Sequence, residues 1–215
     1  MNWNWDVVSD FMPYFWDGVV VTFQALAIGS LLAFTLGLVW AILQRSHRKW
    51  ISWPVLSITE FIRNTPLLVQ LFFLYYVVPE LGISMSALAT GIVGLGLHYS
   101  TYTAEVYRAG IDGVPAGQWE AATALSLPRR RTWTSVILPQ AFRRVVPALG
   151  NYVVAMLKDS PMIAVIGAFE MLGEARAFSN ATFTIEAYAV VGVAFIVIAY
   201  PASLLIRALE RRLVQ

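Results

Sequence analysis

The sequence predicts an all-α integral membrane protein that crosses the bilayer five times. Three observations predict it. Hydrophobic residues make up 58% of the 215 and charged residues 13%, about half the charged share of a soluble domain, and mean hydropathy is +0.65. The apolar residues fall into five long runs, and the basic residues collect in segments that would lie on one side of a bilayer. The length suits one bundle of several helices with no sizeable soluble core. Cysteine is absent, which excludes disulfides. With only His47 and His98 as histidines, the composition also argues against a transition-metal site.

Residues 1–17 carry Asp6, Asp10 and Asp17 but no Lys or Arg, the reverse of a secretory signal's basic start. Their aromatics (Trp3, Trp5, Phe11, Tyr14, Phe15, Trp16) suit the headgroup level, so an extracytoplasmic segment lying on the surface is expected there. The run 19–43 is uncharged and, at ~1.5 Å per residue, outspans a ~30 Å hydrocarbon core. Gly29, Ser30 and Gly37 along it would let neighbouring helices approach closely. Arg45, His47, Arg48 and Lys49 close the span.

A second span over 54–78 opens with Pro54 near its first turn and carries Glu60, Arg63, Asn64 and Gln70. The third, 86–107, holds Gly91, Gly94, Gly96, His98 and Glu105. The loop 108–147 is polar and basic, so it lies outside the bilayer. Within it, Gln118 to Leu127 reads as a short helix with small residues at Ala121, Ala122 and Ala124, stopped near Leu127 by Pro128. A turn-rich segment through Pro139 and Pro147 is expected to lead back to the membrane. The fourth span, 148–167, contains Asn151, Lys158, Asp159 and Pro161. The fifth, 187–206, is uncharged, and a tail over 211–215 follows.

Five spans place the termini on opposite sides. With the N-terminus outside, the inner segments hold twelve of the fifteen basic residues and the outer segments hold Arg176. The bias puts the Ala-rich helix and the C-terminus in the cytoplasm. The loop 168–186, with Glu170, Glu174 and Glu186, then faces outward, and its composition suits a solvated loop as well as a surface for a soluble receptor. No internal repeat is visible, which weighs against inverted-repeat carriers.

Neither lysine sits in a phosphate-cradling G-x-x-x-x-G-K-[ST] loop, so an ATPase driving transport would be a separate polypeptide docking on the cytoplasmic loop. H-E-x-x-H, G-x-S-x-G and a cysteine nucleophile are also missing, which excludes the usual membrane enzymes. Ionisable groups inside a span must face a cavity or one another. Glu60 and Arg63, three apart, can pair, as a structural ion pair or as part of a solute contact. Glu105 and Arg108 share a face in the same way and read as structural. Lys158 and Asp159 point about 100° apart, and Asp159 is assigned to the cavity while Lys158 finds a partner or snorkels. Pro161 frees the carbonyl of Leu157 beside them. His98 suits either a pore or an interhelical hydrogen bond.

Glu120, Ala121, Ala122, Ser126, Leu138 and Pro139 resemble the cytoplasmic EAA loop of ABC importer permeases, with Ser126 where that family usually has Gly. Arg63-Asn-Thr-Pro-Leu-Leu-Val-Gln70 looks like the R-[NG]-T-P-L-L-[VL]-Q segment of the polar amino-acid branch, which includes histidine, glutamate, arginine and cystine importers. The stretch from Tyr102 to Ile111 and the run from Leu157 to Pro161 match it too, while His98 falls where Asn is usual. The resemblance covers roughly residues 18–210. It implies the five-helix type I importer core with a cytoplasmic coupling helix, in a bacterial inner membrane. The implied partners are ATP-binding cassettes, which carry the ATP and Mg, a second identical or sister permease chain, and an extracytoplasmic solute-binding protein. No cofactor is expected in this chain, and no nucleic-acid partner; lipid surrounds it.

A mid-membrane zwitterion needs a cation for its carboxylate and an anion for its ammonium. Arg63, whose planar fork suits a carboxylate, and Asp159 are the candidates, with Asn64, Thr65, His98, Tyr102 and Ser160 as neutral contacts. Glu120, Ala121, Ala122, Leu125 and Ser126 are the candidates for coupling to the ATPase. The expected solute is a polar amino acid or similar zwitterion. A compatible solute such as ectoine, or a carrier working alone, is the alternative.

Overall fold

The computed structural model describes residues 3–213, and every regular element among them is helical. Helix α1 (Trp5–Gln44) starts where the Asn4 side chain accepts from the Asp6 N–H at 2.9 Å, and it runs unbroken for 40 residues. The expected surface segment is therefore the first turns of α1, apart from residues 1–2, which lie outside the described residues. The reason is tertiary. Phe11 and Phe15 are buried in a cluster with Met171, Ala175 and Val191, so these two aromatics cover protein, while Trp3, Trp5, Tyr14 and Trp16 stay exposed and free to meet headgroups.

Helix α2 (Lys49–Asn64) ends at Thr65, and α3 (Leu67–Phe72) leaves it at 104° before continuing through a π turn (Phe73–Val77) and a 3-10 turn (Val78–Leu81). The second span is thus broken and not straight. Pro66 cannot donate to the Ile62 carbonyl and pushes Thr65 into an extended conformation, so the α2 ladder ends there. Helix α4 (Ala87–Asp112) is capped by the Ser86 hydroxyl, which accepts from the Ala89 N–H at 3.2 Å. It is the most enclosed of the long helices, which lets Thr90, Ser100, Thr101 and Thr103 stay buried with their hydroxyls bonded to carbonyls. Small residues set its distance from α1. A Cβ on Gly37 would collide with the Thr103 side chain and come within 2.8 Å of the Ser100 carbonyl oxygen.

Helix α5 (Ala116–Ala124) is followed by α6 (Arg129–Arg131), a π segment (Thr132–Ile137) and α7 (Leu138–Asp159). The expected turn-rich return is helix throughout. Pro139 follows directly on the π segment, where the regular i to i−4 ladder is already interrupted, and Pro147 is carried inside the helix. After Asp159 the chain tightens into a 3-10 segment (Ser160–Ile166). The region expected to be an acidic outer loop is mostly helix α8 (Met171–Thr182), and α9 (Glu186–Leu213) ends the fold. The structure does not describe 214–215, the last part of the expected tail. Among the described residues, three units are long and apolar enough to cross a membrane, namely α1, Arg129–Ile166 and α9, and the bent α2–α3 pair makes a fourth if it is one span.

Two sets of bonds define the ends of the bundle. At one end, the Asn4 N–H donates to Glu186 Oε1 at 3.3 Å, and α8 docks on α1 where Gly18 lies against the backbone of Met171. At the other, Arg45 pairs with Asp112 and Arg144 donates to the Gly113 carbonyl. The chain therefore starts at one end and finishes α9 at the other. Glu170 and Glu186 are buried at the first end. Glu170 caps α8 by accepting from the Gly173 N–H at 2.9 Å, so these carboxylates are used inside the chain and do not form an acidic docking surface.

Candidate functional site

Two places collect the residues singled out by the sequence. The first lies where the α2–α3 break, the middle of α4 and the end of α7 meet. Arg63 pairs with Glu60 one turn back, and its guanidinium lies 3.7 Å from Glu105, which also accepts from Arg108 at 3.0 Å. The two pairs expected from spacing are therefore joined into one chain of alternating charge. Asn64 folds back on Glu60, and the Thr65 hydroxyl donates to the Phe61 carbonyl at 2.8 Å, so both serve their own helix.

Gln70, absent from the sequence candidates, closes the break. Its Nε2 lies 2.7 Å from the Ile62 carbonyl, 2.9 Å from that of Thr65 and 3.0 Å from His98 Nδ1. The Ile62 carbonyl is the acceptor that Pro66 leaves without its helical N–H. His98 is thereby held as an interhelical hydrogen-bonding group, buried within the bundle. Gln70 lies only eight residues beyond Ile62 in sequence, but it reaches back because the helix turns through 104° between them.

An aromatic cluster fills the space between these groups and α7. Tyr99, Tyr102 and Tyr152 sit with ring centroids 5.7–6.1 Å apart, and His98 lies 5.2 Å from Tyr102. The Tyr102 hydroxyl donates to the Arg63 carbonyl at 3.3 Å, and the Tyr99 hydroxyl donates to Asp159 Oδ2 at 2.6 Å. Arg63 and Asp159 thus stand at the two sides of one tyrosine cluster. Ser160 is fully buried, and its hydroxyl donates to the Leu157 carbonyl at 2.9 Å, the group Pro161 frees; it has no face left for a solute. Tyr99 and Tyr152 were not among the candidates, since apolar-run tyrosines look alike until the helices are placed.

The second place is α5. The helix ends with the Leu127 N–H bonded to the Ala122 carbonyl and the Ser126 N–H to that of Thr123, the pair of bonds that closes a helix around a left-handed residue. Ser126 is that residue, at φ 51°. The turn that Gly would make is thus made by Ser at a modest backbone cost. Ala122 is 3% exposed and turned into the permease's own fold, whereas Glu120 and Ala121 are exposed and Leu125 is 73% exposed. Trp119 packs edge-on against Trp133 at 5.3 Å and fixes α5 to the segment that follows.

Residues 33–215 match the family described as binding-protein-dependent transport system inner membrane component. The chain belongs to that family. It is 46% identical over 200 residues to a probable amino-acid ABC transporter permease protein of Sinorhizobium fredii, covering 93% of this chain and 87% of the relative. A probable glutamine ABC transporter permease of Bacillus subtilis is 31% identical, with 98% of each chain covered. A crystal structure of an amino acid ABC transporter with histidines superposes with a TM-score of 0.93 at 32% identity, covering 99% of this chain and 100% of that one.

As an ABC importer permease with the type I fold, the chain is the membrane-embedded, multi-pass part of a transport system whose ATPase is a separate subunit. Membership removes the carrier working alone. It also explains why a polar, alanine-bearing helix is held so firmly outside the long spans: a permease of this kind works with ATP-hydrolysing and solute-binding partners.

Proposed function

We propose that this permease carries a polar amino acid and that Asp159 receives the solute's ammonium. One observation supports it most. Asp159 is a half-buried carboxylate near the end of a span with no cation at ion-pair distance among the described residues, its one side-chain bond coming from the neutral Tyr99 hydroxyl. An unpaired charge is costly in low dielectric, and the cationic end of a zwitterion supplies the missing partner. Arg63 is the candidate for the solute carboxylate, but it already serves Glu60 and Glu105, so the solute has to share it. His98 and Tyr102 border the same space as neutral contacts, whereas Asn64, Thr65 and Ser160 act on the backbone. The relatives named for amino acids and glutamine favour an amino acid over a compatible solute such as ectoine.

The clustering of basic residues supports an N-terminus outside and a C-terminus in the cytoplasm of a bacterial inner membrane. Glu120, Ala121 and Leu125 then face an ATP-binding cassette, which holds ATP and Mg, and Ser126 shapes the turn beside them. A second permease chain, identical or sister, completes the membrane part, and a solute-binding protein meets the end where α8 lies. The test is solute-stimulated ATP hydrolysis by the reconstituted complex. Asp159→Asn should lose the stimulation, while Arg63→Gln should raise the half-saturating solute concentration and keep part of it. Wild-type solute dependence in Asp159→Asn would overturn the assignment.

A further inference from the structure

Between the C-terminal part of α1, the end of α4 and the start of α7 lies a cavity of about 610 Å³ that belongs to neither place above. Its size falls within the ~300–1,000 Å³ of small-ligand sites. The walls are apolar: Leu38 and Ile42 from α1 and Leu138 and Phe142 from α7 are exposed around it, and Ala41 and Ala141 form its buried floor. Arg45, His47 and Arg129 are also among its lining residues, as is Trp133. Arg45 is paired with Asp112, whereas Arg129 makes no ion pair among the described residues. The cavity sits at the end of the bundle where α1 and α4 finish, the end that carries the basic clusters.

We propose that this cavity binds one anionic phospholipid, with an acyl chain along Leu38, Ile42 and Phe142 and the phosphate at Arg129 and His47. An amphipathic ligand is required because the walls offer few polar groups, while the lining includes two arginines and a histidine. Arg129 to Phe142 open the Arg129–Ile166 unit, which is long and apolar enough to cross a membrane, so the cavity lies at the end of a span, where chains meet headgroups and the bilayer supplies such a molecule. Charge complementarity selects an anionic headgroup over a zwitterionic one. The proposal is separate from the solute path and uses none of its residues.

The test uses the permease with its ATPase, held in micelles containing equal phosphatidylglycerol and phosphatidylcholine, with retained lipid read by native mass spectrometry. Wild type should retain phosphatidylglycerol in preference to phosphatidylcholine. Arg129→Gln should lower that preference about fivefold, the effect of one surface cation. Ala141→Leu, which fills the floor, should reduce retention of both lipids. Equal retention of the two lipids by wild type, or an unchanged preference in Arg129→Gln, would overturn the proposal even if Ala141→Leu failed to assemble. So would preferential binding that emerges only after the ATPase is stripped away, since the cavity would then be a subunit contact.

Discussion

At the scale of residues, the fold repeats one device: a proline opens a helix in the membrane and a side chain closes the gap. Pro161 frees the Leu157 carbonyl and Ser160 takes it; Pro66 frees the Ile62 carbonyl, which accepts from Gln70 and from the Thr65 N–H. The freed carbonyl at Leu157 was legible from the sequence, because it lies at a fixed offset from the proline. What fills each gap was not, since that depends on how far the chain turns. Glu170 carries a prediction at this scale. Burial pushes its carboxyl up to about 7, against the backbone N–H groups of Leu172 and Gly173 and the Thr22 hydroxyl, which pull it down. The folded state therefore holds this proton more tightly than the unfolded chain, and the group costs nothing below its ordinary value of 4.5. Stability should fall as pH rises from about 4.5 to about 7, by on the order of 3 kcal/mol from this group. Thermal unfolding of wild type and Glu170→Gln at pH 5 and pH 8 checks it: the difference between the two proteins should shift in favour of the variant at the higher pH.

At the scale of elements, the long apolar runs marked α1, the Arg129–Ile166 unit and α9 as spans and the second as a bent one, whereas α4, the expected third span, is less apolar and is not among them. The small residues on α1 mark its packing face. Gly29 faces Met156 and Gly37 faces α4, as close approach requires. The misplaced elements share a cause. Residues 5–17 and α8 are each ambiguous alone, and they settle only against each other, through Phe11, Phe15, Met171 and Ala175, more than 150 positions apart. Composition cannot distinguish an aromatic stretch lying on lipid from one lying on a helix. Packing at α1–α4 can be tested directly. Gly37→Ala should destabilise the permease by about 1–3 kcal/mol, because the Ser100 backbone cannot give way. Gly192→Ala on α9, where a Cβ meets nothing within 4 Å, should be neutral or stabilising by up to about 1 kcal/mol. Equal melting temperatures for the two variants would contradict this account of the interface.

At the scale of the whole molecule, the sequence identified the family through short motifs, but the structure separates residues that the EAA match treats alike. Ala121 is offered outward and Ala122 inward. Ala121→Trp should leave the complex assembled and lower solute-stimulated ATP hydrolysis, whereas Ala122→Trp should lower the yield of folded permease itself. The reverse pattern, measured by size-exclusion profile and ATPase assay on the same preparations, would place the interface on the other face of α5. A last consequence follows from α1. Its 40 residues make a helix about 60 Å long, fastened near its start to α8 and α9 and from Gly29 onward to α4. Mechanically it is a strut held near its start and along its second half, and such a strut transmits displacement without changing length. The compliant member is the second span, with its corner at Thr65–Pro66. We predict that spin labels at Trp16 and Ile42 keep one separation through the ATP cycle while a pair at Ser57 and Phe73 changes. A shortening of the first distance would mean that the helix itself bends, and that motion at the ATPase is absorbed before it reaches the end where α8 lies.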